Sequence, residues 1–241
     1  METLEVIQIK SKKIIGGDLK IIFVFLSLMI TVSSHRITQI IALITFSILS
    51  IHAAGREFLK LMKIPTIFLI PTAFGLMITE GKPIIQFGWF AITEEGIKTA
   101  LAVLLRVLAS FSILAYLILT TSVPEMVAFL KRLKLPSIFV ELSLLIYRNI
   151  QILLNELKRL ETSSETRLGN ISKRAMLRTS SMLAYAIFLK TLDRSKRLEL
   201  AMNSRCYSGH FPVKSEKSYG YQIATLCIFL LIMGWFVHVS R

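Results

Sequence analysis

Acidic residues are scarce in this sequence of 241 residues: 15 Asp and Glu stand against 29 Lys and Arg, a formal net charge of +14. Charge of either sign is thin, 18% of residues, where a soluble domain carries about 25%. Apolar residues reach 54% and gather into nearly uncharged windows of about 15–25 residues. An ordinary water-soluble domain is thereby excluded. Nucleic-acid binding is one source of a basic excess. Lysine and arginine also collect on the cytoplasmic side of membrane proteins, and the apolar clustering favours that origin. Cysteine is limited to Cys206 and Cys227, too few for a disulfide framework or a thiolate metal cluster, and Cys227 sits in an apolar run where a thiol is a small hydrophobe. The four histidines, His35, His52, His210 and His238, are scattered without ligand spacing, so no metal site is expected. No G-x-x-x-x-G-K-[ST] occurs, so this chain is not expected to cradle ATP itself. The first stretch of about twenty residues is polar and basic, and no small-residue cleavage pattern follows it, so no cleavable signal peptide is expected. Glu141 is the only acid near the apolar part of a long helical pattern; an intramembrane enzyme would need a partnered acid, a metal cluster or a nucleophile–base set.

What the sequence does contain is a series of apolar spans. They are predicted at Lys20–Ser34, Ile37–Ala53, Ile64–Thr79, Gly96–Thr121 and Tyr219–Val239. Pro71 should kink the third, and Tyr219, Tyr221 and Trp235 are placed as interfacial anchors of the fifth. Orientation follows from the connections. Lys10, Lys12, Lys13 and Lys20 precede or open the first span, and Arg56, Lys60 and Lys63 follow the second. Glu80, Glu94 and Glu95 follow the third, while Arg36 is the lone cation in the first outer turn. Ser122 to Ser218 holds 17 Lys or Arg and 8 Asp or Glu, a net +9. The N-terminus and that segment are therefore expected in the cytoplasm, with five spans and the C-terminus outside. The predicted class is an all-α membrane protein in three parts: 1–121 with four spans, 122–218 cytoplasmic, and 219–241 the last span.

The cytoplasmic segment reads as helical. "SVPEMVAFLKRLKLP" opens with Ser122 as a cap and Pro124 in the first turn, and stops before Pro136. Ser137 to Arg167 lacks glycine and proline throughout and repeats Leu142, Leu145, Ile146, Asn149, Ile150, Leu153, Leu157 and Leu160 mostly at three- and four-residue intervals. That pattern predicts an amphipathic helix too polar to span, ended by Gly169 and Asn170. A second runs from Ser172 to Arg205 and is ended by Gly209. Sharing an apolar seam, the two should cross and project a basic tip. Arg106, inside the fourth span, costs about 2.5–3.5 kcal/mol on insertion scales and needs a partner or polar cavity; a structural contact with a cytoplasmic helix is the reading preferred here over a transport path.

"GGDLK" (Gly16–Lys20), "LTTSVPEMVAFLKRLKLP" (Leu119–Pro136), "FVELSLLIYRNIQILLNELKRLETSSETRLG" (Phe139–Gly169) and "LDRSKRLELAMNSRCYSG" (Leu192–Gly209) together resemble the transmembrane T component of energy-coupling-factor (ECF) transporters, most closely its CbiQ branch, which serves cobalt uptake. The resemblance implies three coupling helices after the fourth span and an Ala-Arg-Gly/Ser motif at the ends of two of them. By position these fall on Thr166, Arg167, Leu168 and on Ser204, Arg205, Cys206; the arginines match, the flanking alanine and glycine do not, and Gly169 and Gly209 follow nearby. It further implies that each arginine docks into one of two ABC-type ATPase subunits, that a separate membrane subunit binds the substrate, that ATP is bound by the partners and no cofactor by this chain, and that the assembly lies in a prokaryotic plasma membrane. Cobalt is the cargo so implied; nickel, or a vitamin through a general T component, are its alternatives. A membrane-embedded enzyme and a scaffold that binds anionic lipid are the readings from other classes.

Overall fold

Asp18 opens the first helix, α1 (Asp18–Ser33), which is followed by α2 (Arg36–Ala54) and α3 (Arg56–Met77). The strands β1 (Pro83–Phe87) and β2 (Phe90–Thr93) come next, then α4 (Glu94–Thr120), α5 (Val123–Arg132), α6 (Ser137–Thr166), α7 (Lys173–Asn203) and α8 (Tyr221–Val239). This is a computed structural model that describes residues 8, 11, 14–34, 36–77, 83–87, 90–169, 171–207 and 219–239. Lys10, Lys12, Lys13, Thr79, Glu80, Asn170 and Gly209, invoked above for orientation or helix ends, lie outside the described residues. The predicted class, an all-α membrane protein, is what the structure shows, with one short antiparallel hairpin added between α3 and α4.

The chain divides into two compact units, Met1–Phe129 with Ser215–Arg241, and Leu130–Lys214; the dividing point falls inside the single continuous helix α5. In the first unit α4 packs against α1, α2 and α3, and α8 against α1 and α2. An aromatic cluster ties three of these helices: Phe23 stacks on Phe46 with ring centroids 5.3 Å apart, and Phe46 meets the edge of Tyr116 at 6.0 Å. Much of the interior is small and hydroxylic, including Ser27, Thr31, Thr38, Ser50 and Ser112. Small residues let helices approach closely in lipid, where apolar burial gives no drive. Several hydroxyls turn back onto their own helix, Thr31 donating to Ser27 O at 2.7 Å and Ser112 to Leu108 O at 2.9 Å. Large apolar side chains such as Phe25, Met29, Ile48, Phe68 and Phe229 face outward. A unit built this way suits hydrocarbon rather than water as its surroundings.

The third span starts earlier than predicted. Arg56, Lys60 and Lys63 are in the first turns of α3, and Gly55 alone joins it to α2, at φ 56 with its N–H on Ile51 O at 2.8 Å. A left-handed glycine lets the chain reverse in one residue, so no loop is needed. α3 then runs through Pro65 and Pro71. Each is followed by a threonine whose hydroxyl donates to the preceding turn, Thr66 to Met62 O at 2.7 Å and Thr72 to Phe68 O at 2.8 Å.

One end of this unit gathers four helix termini. Gly16 N–H donates to Tyr219 O at 3.1 Å, pairing the lead-ins of α1 and α8. Lys20, fully buried, donates to Thr120 O at 2.6 Å, where α4 ends, and to Glu125 Oε2 at 3.2 Å in the first turn of α5. Ser122 Oγ donates to the other oxygen of Glu125 at 3.0 Å. The start of α1, the end of α4 and the starts of α5 and α8 therefore share one face, as four successive crossings require.

Length and hydropathy qualify α2, α3, α4 and α6 as able to cross a bilayer. α1, with 16 residues, is about 24 Å long against a hydrocarbon core of about 30 Å. α6 is the exception among the four. It lies alongside α7, which carries Lys173, Arg174, Arg178, Lys190, Arg194, Lys196 and Arg197, and its own distal half holds Glu156, Lys158, Arg159, Glu161 and Glu165. A crossing by the apolar first part of α6 would draw Arg194, bonded to Asn149, and its neighbours Lys196 and Arg197 into hydrocarbon with it.

Candidate docking interface

α6 and α7 form an antiparallel hairpin, and their contacts fix the register. Tyr207 Oη, just past α7, donates to Glu141 Oε2 near the start of α6 at 3.1 Å. Arg194 Nε donates to Asn149 Oδ1 at 3.3 Å, and Lys190 pairs with Glu156. At the turn, Thr179 Oγ1 donates to Gly169 O at 2.9 Å. A side chain on Gly169 would place its Cβ 2.4 Å from Ser164 Oγ, so the turn has room only for hydrogen there. Ser172 caps α7 by accepting from Ala175 N–H at 3.2 Å.

The two motif arginines sit in equivalent caps. Leu168 follows Arg167 and Cys206 follows Arg205, and both are left-handed, at φ 61 and φ 51. Leu168 N–H bonds Glu165 O at 3.0 Å and Gly169 N–H bonds Ser164 O at 2.9 Å. Cys206 N–H bonds Asn203 O at 3.1 Å and Tyr207 N–H bonds Met202 O at 3.1 Å. This is the Schellman arrangement in both places, so each arginine is mounted at the same point of a helix C-terminus. Thr166 Oγ1 donates to Ser163 O at 2.9 Å and Ser204 Oγ to Ala201 O at 3.1 Å, which ties the flanking hydroxyls to their own helices. Both guanidinium groups are exposed, and among the described residues neither has a hydrogen-bond or ion-pair partner.

The arginines are not brought together. Arg167 is at the turn of the hairpin, whereas Arg205 lies at its open end beside the first turns of α6. The 31 residues of α7 separate them by about 45 Å at 1.5 Å per residue. The single basic tip expected from sequence is thus two separate charged ends. Arg205 also borders a cavity of about 260 Å³ with Arg148, Arg194, Asn149 and an apolar floor of Leu145, Leu198 and Met202. Arg106 is exposed on α4, and among the described residues it too has no partner.

Left-handed backbone costs an ordinary side chain roughly 1–2 kcal/mol, and glycine gives part of that back through unfolded-state freedom. Leu168→Gly and Cys206→Gly should each stabilise the hairpin by about 0.5–1 kcal/mol, measured by thermal loss of helicity. A loss of stability in either variant would contradict this account of the caps.

Two titrating groups give the hairpin a pH window. The Lys190 hydrogen bond, then its charge, holds the Glu156 carboxyl below its ordinary 4.5. That support is present above the ordinary value and fades as pH falls through the lowered one. Loss of solvent first, then the bond to Glu141, pushes the Tyr207 hydroxyl above its ordinary 10.0. Its support is present below 10.0 and disappears as pH rises through the raised value. Amide protection along α6 and α7, taken relative to the intrinsic exchange rate at each pH, should be highest between those limits. The acid limb should be the weaker and should shrink with added salt, because Glu156 is solvent-screened.

A helical unit with an outward apolar surface, joined to a charged hairpin with capped arginine ends, defines a multi-pass component of a membrane transport system once its relatives are considered. Residues 10–219 match the family described as CbiQ, cobalt transport protein. The chain belongs to that family. It is 28% identical over 195 residues to the cobalt transport protein CbiQ of Rhodobacter capsulatus, covering 80% of this chain and 78% of that one. It is 31% identical over 180 residues to a protein of Methanocorpusculum labreanum named as a fused cobalt transport protein CbiMQ, covering 72% of this chain but only 30% of that longer one. The energy-coupling factor transporter transmembrane protein EcfT of Exiguobacterium sibiricum is 28% identical over 207 residues, covering 79% and 78%.

The buried pair Lys20–Glu125 and the Tyr207–Glu141 bond were not foreseen. Lys20 reads in the sequence as one more cytoplasmic cation, and nothing local marks a partner 105 positions away.

Proposed function

We propose that this chain is the non-catalytic energy-coupling subunit of an ECF-type importer, in which partner ATPases hydrolyse ATP and this subunit passes the resulting motion to membrane helices. The carrying observation is the pair of exposed arginines, without a partner among the described residues, in equivalent helix caps at opposite ends of one hairpin. Guanidinium groups suit bidentate pairing with carboxylates, and ends about 45 Å apart suit two docking points rather than one. Two ABC-type ATPase subunits therefore fit, one at Arg167 with Thr166, Leu168 and Gly169, the other at Arg205 with Ser204 and Cys206. The basic excess of residues 122–218 favours a cytoplasmic hairpin and N-terminus, with α1–α4 and α8 as the five spans. The names of the CbiQ and CbiMQ relatives favour cobalt as cargo, with a separate membrane subunit to bind it; nickel shares the same coordination chemistry. The EcfT relatives are what favours the second reading, a general T component for vitamins.

The test is co-purification. Tagged chain extracted in mild detergent should carry an ABC-type ATPase. Arg167→Glu or Arg205→Glu alone should leave one contact and weaken retention, while the double reversal should remove the ATPase from a chain that still elutes and melts as before. Undiminished ATPase on the double variant overturns the proposal. Uptake of radiolabelled cobalt by cells carrying the transporter, competed by nickel but not by vitamins, decides the cargo.

A further inference from the structure

Arg106 is the thirteenth residue of the 27 in α4, the longest apolar helix of the first unit. Either end of that helix is about 18–21 Å away along its axis, more than half the hydrocarbon thickness of about 30 Å. Snorkelling serves cations near helix ends best, and from this depth it brings the charge to water only together with bilayer thinning or water defects. The guanidinium is nevertheless exposed, and among the described residues nothing bonds to it. Thr99, Val103, Arg106, Ser110 and Leu114 follow one another at three- and four-residue steps, so they share one face of α4. On that face Thr99 and Arg106 are exposed, Val103 and Ser110 are half-buried, and Leu114 is 40% exposed. Beyond Ser110 the same face turns into the core at Ile113 and Leu117, so its open stretch runs from Thr99 to Ser110. A permanent charge flanked by exposed Thr99 and half-buried Ser110, with no bonding partner among the described residues, is a poor surface for lipid tails at mid-membrane.

We infer that this face of α4 seats a transmembrane helix of a partner protein that presents a carboxylate to Arg106 at mid-membrane depth. The inference rests on the reading of this chain as one subunit of a membrane transporter. A carboxylate matches the planar fork of the guanidinium and neutralises it, where a carbonyl would leave a net charge in hydrocarbon. A second copy of this chain, seated face to face, would set Arg106 against Arg106. A lipid phosphate is held at the headgroups, half a bilayer away. Ser110, one turn from Arg106, and Thr99, two turns away, offer small hydroxylic surfaces against which a partner helix can approach closely.

The experiment uses the transporter extracted whole from its membrane. Arg106→Leu should lower the co-purified membrane partner by about tenfold or more, as loss of one member of a buried charge pair does. The ATPase should stay at its wild-type level, and the isolated Arg106→Leu chain should melt at or above wild type, since it no longer exposes a charge to detergent tails. Arg106→Glu should lose the partner as well, and Asp→Arg or Glu→Arg in a span of that partner should restore it. Wild-type retention of the membrane partner by Arg106→Leu overturns the inference. So does an Arg106→Leu chain that melts lower and loses ATPase and partner together, because that identifies a structural bond within the chain. A wild-type chain that brings down its membrane partner but no ATPase sinks the coupling proposal alone.

Discussion

Lys20→Met is expected to lower the unfolding free energy of the chain in mixed micelles by about 3 kcal/mol, toward the lower end of the range for breaking a buried ion pair. The lysine is fully buried, while the Glu125 side chain is 17% exposed, so the carboxylate left behind can recover some hydration. The loss has a second part. Thr120 O sits at the C-terminus of α4, where carbonyls lack helical donors, and the 2.6 Å bond from Lys20 is what satisfies it. Glu125→Leu alone should also destabilise, because it removes the carboxylate 3.2 Å from a cation that has no solvent access. The double variant Lys20→Met with Glu125→Leu should cost less than the two single changes together, since an apolar pair of similar volume needs no counter-charge. Strict additivity in that cycle would mean that the 3.2 Å contact contributes nothing of its own. The position of this pair gives it a further consequence. α5 carries the chain from the first unit into the second, and its first turn is held to α1 and α4 by Lys20 rather than hanging from a free hinge at Thr121 and Ser122.

The opposite placement of Arg167 and Arg205 bears on how work could pass through the hairpin. On the proposed reading, two grips on one pair of helices would report the separation of whatever holds them. If the two holders approach each other, the hairpin must tilt or slide as a body, because the Glu141–Tyr207, Asn149–Arg194 and Glu156–Lys190 contacts oppose a change of register. A single tip would follow one partner and register no difference. Equivalent caps serve the same end, since they set each guanidinium in the same relation to its helix axis.

The spans were legible because uncharged apolar windows need no tertiary information, and Ile37–Ala53 and Gly96–Thr121 fall within two residues of α2 and α4. The start of α3 was not. Arg56, Lys60 and Lys63 look like loop charges until Gly55 is seen to turn the chain alone in a left-handed conformation. The hairpin β1–β2 carried a readable sign, two β-branched and aromatic runs separated by Gly88 and Trp89, which the acidic residues around it obscured. Arg167 and Arg205 were found through resemblance rather than spacing. Their caps were hidden for a physical reason: the left-handed positions hold leucine and cysteine where glycine would announce them. Lys20 with Glu125 is the kind of long-range pairing that no local pattern encodes.

Gly220→Ala should be among the most damaging single-methyl changes in the chain, at about 2–5 kcal/mol. Gly220 has φ 83, a conformation that costs an alanine roughly 1–2 kcal/mol. Its new Cβ would also stand 2.6 Å from Ile14 O and 3.1 Å from Ile15 Cα, both backbone, and overpacking of that kind adds about 1–3 kcal/mol. Gly16 provides the control. A Cβ there meets the Tyr219 ring, with Cε1 at 2.1 Å, but that ring is 43% exposed and can swing toward solvent. Gly16→Ala should therefore be the milder change, and Tyr219→Ala should rescue it. The same second substitution should leave Gly220→Ala unrescued, because the obstruction there is main chain. Equal unfolding midpoints for the two glycine variants, or rescue of both by Tyr219→Ala, would mean that the Gly16–Tyr219 bridge does not hold the start of α8 against the lead-in of α1 in the way its 3.1 Å hydrogen bond indicates.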